Sequence, residues 1–132
     1  MRKLVLLSLL VVGILQTACA SSQPQIEMEL EKFDFGDVVN GVIASREVTV
    51  RNTGGADLVI STVTTTCGCT TASLDQMVIP AGDESVLQIN FDSGAHGPYL
   101  EGEVLRRVIL ISNDPEQPEA TVDFGANILL PE

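Results

Sequence analysis

Strict alternation of apolar and polar residues is clearest in the stretch Leu87-Gln88-Ile89-Asn90-Phe91. Successive side chains of a β-strand point to opposite faces of its sheet, so this spacing places the three apolar residues on one face. The turn sequence Pro80-Ala81-Gly82-Asp83 precedes the stretch and marks a reversal of the chain. The pattern therefore predicts a strand with one face in the core and the other in water.

The same alternation recurs on both sides of this stretch, with turn residues between the runs. The other predicted strand regions are 26–35, 47–51, 58–66, 104–111 and 120–129. About seven short strands in about 100 residues are typical of an immunoglobulin-like β-sandwich. The sequence thus predicts an all-β sandwich of about seven antiparallel strands over residues 26–130. The side chains predicted to be buried are Val50, Ile60, Leu87, Ile89, Phe91, Ile109 and Phe124.

The N-terminus has the three parts of a secretory signal. A basic head, Met1-Arg2-Lys3, precedes an apolar run over residues 4–15, and small residues follow. The run is shorter than the roughly 20 residues that span a bilayer. A buried core helix is the alternative, but the basic head and the small residues favour a signal peptide over residues 1–18. The sequence therefore predicts export to the periplasm or cell surface.

The end of this signal predicts a lipid anchor. The stretch Leu15-Gln16-Thr17-Ala18-Cys19 resembles a bacterial lipobox, although Gln16 stands where an aliphatic residue is expected. Lipidation at Cys19 would attach the chain to a membrane, and residues 19–25 would form a polar tether. Ordinary cleavage after Ala20 is the alternative, because Ala18-Cys19-Ala20 also fits the A-x-A rule.

The charge of the chain excludes two classes of partner. The full sequence has 7 basic and 18 acidic residues and a formal net charge of −11. Loss of Arg2 and Lys3 with the signal leaves 5 basic residues against 18 acidic ones, a formal net charge of −13. Such a surface repels phosphate backbones, which argues against nucleic-acid binding. It also lacks the basic patch that docking on anionic lipid requires.

The pair Cys67-Gly68-Cys69 is the main candidate for chemistry. On an extended strand both thiols would lie on one face, with Cα atoms about 6.6 Å apart at about 3.3 Å per residue. That separation is near the upper limit for a disulfide, so bonding needs a bend, which Gly68 tolerates. Three interpretations stay open: a small disulfide or two buried thiols, a redox switch, and a Cu(I) or Zn(II) site.

The remaining candidates for chemistry are few. A metal site could recruit only His96 or Met77 as further ligands, and His96 lies in a glycine-rich turn that would also explain it. The sequence has no G-x-S-x-G elbow, phosphate loop or EF-hand, and its aromatic content is only 4%. These features argue against an enzyme. Arg106-Arg107 predicts a strand with one solvated or salt-bridged arginine on each face, or alternatively an anchor at a partner interface.

Five short motifs occur in order along the mature chain. They are Phe35-Gly36, Asn52-Thr53-Gly54, Cys67-Gly68-Cys69-Thr70, Ile79-Pro80-Ala81-Gly82 and Ser112-Asn113-Asp114-Pro115. Together they resemble the bacterial domain-of-unknown-function family DUF1573, whose members often carry lipoprotein signals. The resemblance implies an immunoglobulin-like fold similar to Hydin-type domains, and it implies no established activity.

Two hypotheses of function follow. The first is a non-enzymatic binding or scaffolding module, tethered at the envelope, that contacts an unknown envelope protein through an exposed face or an edge strand. The second is a small copper-binding or thiol-redox protein acting through Cys67 and Cys69.

Overall fold

A computed structural model describes residues 22–132 of the chain. The predicted signal peptide and the lipidation site at Cys19 lie outside the described residues. Within the described part, the chain forms strands and no helix, and accordingly no helix there is long and apolar enough to cross a membrane. The strands are β1 (Ile26–Met28), β2 (Lys32–Val39), β3 (Ile43–Asn52), β4 (Leu58–Thr65), β5 (Thr70–Leu74), β6 (Val78–Ile79), β7 (Glu84–Asp92), β8 (Gly102–Ser112) and β9 (Glu119–Leu129).

The strands form two sheets that enclose one core, which confirms the predicted sandwich. One sheet has the order β1-β3-β7-β5, and the other has the order β2-β9-β8-β4-β6. Two very short strands, β1 and β6, bring the count in residues 22–132 to nine. The alternating region 26–35 divides between the sheets: β1 pairs antiparallel with β3, whereas β2 pairs parallel with β9. This parallel pair departs from the antiparallel arrangement that the sequence predicts.

The core lies between the inward faces of the two sheets. Four phenylalanine rings, those of Phe33, Phe35, Phe91 and Phe124, pack with neighbouring centroids 5.0–6.3 Å apart. Edge-to-face and offset ring contacts of this kind add to the stabilisation from burial. The core therefore rests on aliphatic and phenylalanine side chains.

The predicted burial is confirmed for Val50, Ile60, Leu87, Ile89, Phe91 and Phe124. It is wrong for Ile109, which is only half-buried. On β8 the fully buried residues are Val108 and Leu110, so Ile109 lies on the outer face of the sheet. The physical reason is that β8 is apolar on both faces, and alternation cannot then identify the inward one.

The turn after β3 is held by a buried asparagine. The Asn52 amide donates to the carbonyl oxygens of Ala56 and Ile79, at 2.7 and 2.9 Å. Its Oδ1 accepts the backbone N–H groups of Gln25 and Gly54. A Cβ atom at Gly54 would collide with the backbone of Gln23, so this position requires glycine. The last residues of the predicted tether therefore lie against the sandwich.

Candidate functional site

Cys67 and Cys69 lie in the turn by which the chain passes from β4 in one sheet to β5 in the other. Their sulfur atoms are bonded to each other, and the Cα atoms are 5.2 Å apart. The bend expected between them is present. The Thr65 hydroxyl donates to the carbonyl oxygens of Cys67 and Thr70, at 3.0 and 3.1 Å, and so closes the turn.

Gly68 contributes less to this bend than the sequence suggests. Its φ angle is not among the positive ones, and a Cβ atom placed on it would meet nothing within 4 Å. The turn is therefore accessible to an L-residue at this position.

The two sulfur atoms have different surroundings. Cys69 is 2% exposed, whereas Cys67 is half-buried. The Arg106 Nε–H donates to the Cys69 Sγ at 3.1 Å, and the Thr70 hydroxyl oxygen lies 3.7 Å from the same sulfur. The Cys67 Sγ accepts the backbone N–H of Cys69 at 3.1 Å and lies 3.2 Å from the His96 Nε2. The buried sulfur thus faces a cation, and the accessible one faces an imidazole.

The adjacent arginines of β8 point in opposite directions. Arg107 points outward and forms a bidentate pair with Asp123, at 2.6 and 2.7 Å. Hydrogen bonding to Asp123 and the charge of that carboxylate raise the pKa of Arg107, and hydrogen bonding to Arg107 holds the pKa of Asp123 below its ordinary value. The prediction of a salt-bridged arginine is confirmed for Arg107.

Arg106 departs from that prediction. It shares the inward face of β8 with Val104 and Val108, and its side chain reaches the disulfide. Its Nη1 donates to the Leu105 carbonyl at 2.7 Å. The ion pairs found within residues 22–132 use Arg51 and Arg107 and do not include Arg106. The guanidinium of Arg106 contacts the Cys69 sulfur instead. The sequence did not place Arg106 in the site. Because Arg106 and Arg107 are adjacent on a strand, one of them must face the core, and this was the available signal.

The structure brings together all three residues that the sequence named for a possible metal site. The ligand atoms of Cys67, Cys69 and His96 lie within 4.8 Å of one another. The other suggested ligand, Met77, lies just before β6, where its carbonyl accepts the N–H of Ile60. Metal binding would require reduction of the disulfide, because thiolates are the ligands that Cu(I) and Zn(II) take. It would also place a cation beside the Arg106 guanidinium, so the charge distribution does not favour this interpretation.

The strand that follows the disulfide forms one edge of its sheet. The Asp92 N–H donates to the Cys69 carbonyl and the Asp75 N–H to the Val86 carbonyl, at 2.8 and 3.1 Å. In an antiparallel ladder the intervening residues alternate, so Ala72 and Leu74 direct their backbone N–H and C=O groups away from β7. All five residues of β5 are uncharged.

The other sheet edges are less suited to pairing. The edge strands β1 and β6 contain three and two residues and leave most of β3 and β4 unpaired on that side. The open part of β3 carries the charged Arg46 and Glu47, and β4 has an irregularity between Ile60 and Thr62. The edge strand β2 is interrupted by an irregularity between Asp34 and Asp37, where Gly36 has a φ angle of 70°. Short, bulged and charged edges resist the addition of another strand. Within residues 22–132, β5 is therefore the edge best formed to accept one.

A shallow depression of about 300 Å³ adjoins the site. Thr66 and Arg106 form part of its lining, together with the 75% exposed side chain of Leu105. It is large enough for one side chain of a bound polypeptide.

The two-sheet topology defines an immunoglobulin-like sandwich, and comparison with known proteins identifies its family. Residues 26–128 match the model of the family described as "Protein of unknown function (DUF1573)", to which the chain belongs. This confirms the resemblance found in the motifs. Among curated proteins, no sequence matches the chain.

Solved structures share this fold. A protein of unknown function from Porphyromonas gingivalis is 23% identical, with a TM-score of 0.69; the match covers 83% of this chain and half of that one. The ASH/PapD-like domain 7 of human CEP192 is 10% identical, with a TM-score of 0.65 and coverage of 92% and 97%. The periplasmic chaperone SfaE is 11% identical, with a TM-score of 0.54 and coverage of 82% and 58%. At these identities the likeness establishes the fold alone.

Proposed function

We propose that this protein is a non-enzymatic binding module, tethered at the cell envelope by lipid on Cys19, that binds an extended segment of an envelope protein along β5. The observation that carries the proposal is the edge itself. Ala72 and Leu74 present backbone donors and acceptors outward from an uncharged strand without a bulge. Main-chain pairing along such an edge supplies affinity, and the side chains beside it supply specificity.

The charge of the domain limits the chemistry of the partner. The 18 acidic and 5 basic residues of the mature chain disfavour an acidic segment. The partner segment is therefore neutral or basic, and it adopts the extended conformation that a β-ladder requires. Export through the N-terminal signal would place the domain where such envelope proteins occur.

Hydrogen exchange on the purified protein tests the state of the edge. The amides of Ala72 and Leu74 should exchange rapidly, whereas those of Thr71 and Ser73, which point toward β7, should be protected. Envelope proteins that co-purify should then restore protection at Ala72 and Leu74. Equal protection of all four amides in the free protein would contradict the proposed edge.

A matched pair of variants tests binding. Ala72→Pro removes an outward N–H, a change that edge strands tolerate, and Thr71→Ala trims an exposed side chain of the same strand but keeps the backbone. A partner bound along β5 should be retained by Thr71→Ala and lost with Ala72→Pro in pull-downs quantified by mass spectrometry. Retention by both variants, with both shown to be folded, would refute binding at this edge.

A further inference from the structure

The asymmetry around the Cys67–Cys69 bond points to a chemical activity at one end of β5. We propose that this disulfide undergoes thiol–disulfide exchange with a dithiol of a polypeptide, with Cys67 as the attacked sulfur and Cys69 as the leaving thiolate held by Arg106. The exchange does not rest on binding along β5, because it is argued from the surroundings of the two sulfur atoms; only the choice of a polypeptide as partner draws on the position of the disulfide next to β5. It goes beyond a binding role, since the partner would be changed covalently.

Accessibility assigns the attacked sulfur. An incoming thiolate must approach one sulfur of the bond while the other departs. Cys69 is 2% exposed and its sulfur contacts Arg106 and Thr70, whereas Cys67 is half-buried and lies beside the exposed His96. Attack therefore falls on the Cys67 Sγ.

The exchange balances in two steps. In the first, a thiol of the partner gives its proton to the His96 imidazole, its sulfur bonds to the Cys67 Sγ, and the bond to Cys69 breaks with its electron pair on the Cys69 Sγ. In the second, the other thiol of the partner attacks the partner's sulfur in the mixed disulfide. The Cys67 thiolate leaves and takes up the proton of that second thiol, while Cys69 stays a thiolate beside Arg106 and the first proton stays on His96. The partner dithiol loses two electrons and becomes a disulfide, and the Cys67–Cys69 pair gains them.

Arg106 is the residue that gives this exchange its direction. Its Nε–H is 3.1 Å from the sulfur that must carry negative charge after the first step. A charge-assisted hydrogen bond to a thiolate is stronger than one to a neutral sulfur, so the contact strengthens as the bond breaks. The Thr70 hydroxyl, 3.7 Å from the same atom, is placed to add a second donor.

The position of the disulfide suits a polypeptide dithiol. Cys69 directly precedes β5, and the depression that Arg106 lines is also lined by the exposed Leu105 side chain. An extended segment near β5 could therefore place a cysteine at Cys67 and a neighbouring apolar side chain in the depression.

The test uses the purified oxidised protein, with reduced glutathione as a monothiol probe and dithiothreitol as a dithiol probe. After brief incubation with glutathione, the remaining thiols are alkylated and the 67–69 peptide is sequenced by mass spectrometry. We expect glutathione on Cys67 and the alkyl group on Cys69. Glutathione predominantly on Cys69 would overturn the assignment.

The rate of reduction by dithiothreitol tests Arg106. Arg106→Gln should slow reduction by roughly tenfold, because the leaving thiolate loses its charged donor and a less stabilised thiolate departs more slowly. Arg106→Lys should recover part of the rate. The matched control is Arg107→Gln on the same strand, which removes an outward-facing arginine paired with Asp123 and should leave the rate unchanged.

Two comparisons keep this test independent of folding and of the proposed function. Unfolding midpoints of the oxidised variants show whether Arg106→Gln acts through stability, and Arg106→Lys retains a cation if the glutamine variant fails to fold. Ala72→Pro should exchange at the wild-type rate with glutathione even if it loses its partner. Equal rates for the folded Arg106→Gln and Arg107→Gln proteins would refute the role of Arg106.

Discussion

Replacement of Asp114 by asparagine tests how the N-terminal strand is fixed to the sandwich. Asp114 is 2% exposed and follows β8. Its Oδ2 accepts the N–H of Ile26 in β1 at 2.8 Å, and its Oδ1 accepts those of Glu116 and Gln117 at 2.8 and 3.1 Å. Burial raises the pKa of this carboxyl, but the three hydrogen bonds together outweigh burial, and the pKa lies below its ordinary value.

The size of the effect follows from the lost contact. An asparagine oxygen can still accept from Glu116 and Gln117, but its NH₂ group then faces the N–H of Ile26, which leaves a buried donor without an acceptor. Loss of a hydrogen bond to a charged group costs about 1.5–3 kcal/mol. For a domain of this size, 2 kcal/mol corresponds to a lowering of the melting temperature by about 10 °C.

Urea and thermal unfolding of Asp114→Asn, followed by circular dichroism, measure this loss, with the exposed Asp75→Asn as control. The folded-state pKa of Asp114 lies below its unfolded value of 3.8, so its stabilisation is fully present above pH 3.8 and is lost as the pH falls through the folded-state pKa. The stability difference from the wild type should therefore shrink in acid. A difference below about 0.5 kcal/mol at neutral pH, the range of ordinary surface substitutions, would refute the reasoning. So would one that does not change in acid.

Four further outcomes are expected. Phe124→Ala should cost about 3–5 kcal/mol in urea unfolding, because it opens a cavity in the aromatic core. Intact-mass analysis of membrane-extracted protein should find a lipidated chain that begins at Cys19; an unlipidated chain beginning two residues later would refute the anchor. The double variant Cys67→Ser/Cys69→Ser should lose only about 1–2 kcal/mol, since the loop that the disulfide closes is very short. Gly68→Ala should retain the disulfide and gain about 0.4–1 kcal/mol, because its backbone needs no positive φ and alanine restricts the unfolded chain.

The sequence predicted the sandwich because the alternation of apolar and polar residues identifies the inward face of a strand. In β7 the apolar residues Leu87, Ile89 and Phe91 alternate with polar ones, and all three are buried. The sequence did not predict which strands pair with each other. The alternation in region 26–35 is compatible with either sheet, and only tertiary contacts place β2 parallel to β9. The burial predicted for Ile109 was wrong for a similar reason, because a strand that is apolar on both faces does not show which face is inward.

Three of the five motifs that resemble the family differ in how far their contacts explain them. Asn52 and Gly54 close the turn after β3, and Asp114 anchors β1, so these residues are explained by buried hydrogen bonds. The sequence placed them in motifs that resemble the family but could not identify their partners, which are up to 88 positions away in the chain. In the Cys67–Cys69 motif, by contrast, the turn conformation does not explain why a guanidinium lies beside one sulfur and an imidazole beside the other.

The candidate site illustrates why a local motif is an incomplete description of chemistry. As a sequence, Cys67-Gly68-Cys69 is symmetric, and its spacing is compatible with a structural disulfide, a metal site and a redox pair. The symmetry is broken by residues 29 and 37 positions away, His96 beside one sulfur and Arg106 beside the other. Arg106 reaches Cys69 because this side chain lies on the inward face of β8. Cys69 lies in the turn after β4, where the chain passes from one sheet to the other. The fold therefore places a cation beside the buried Cys69 sulfur and leaves the Cys67 sulfur accessible. In the proposed exchange, accessibility makes Cys67 the attacked sulfur, and the cation makes Cys69 the leaving thiolate.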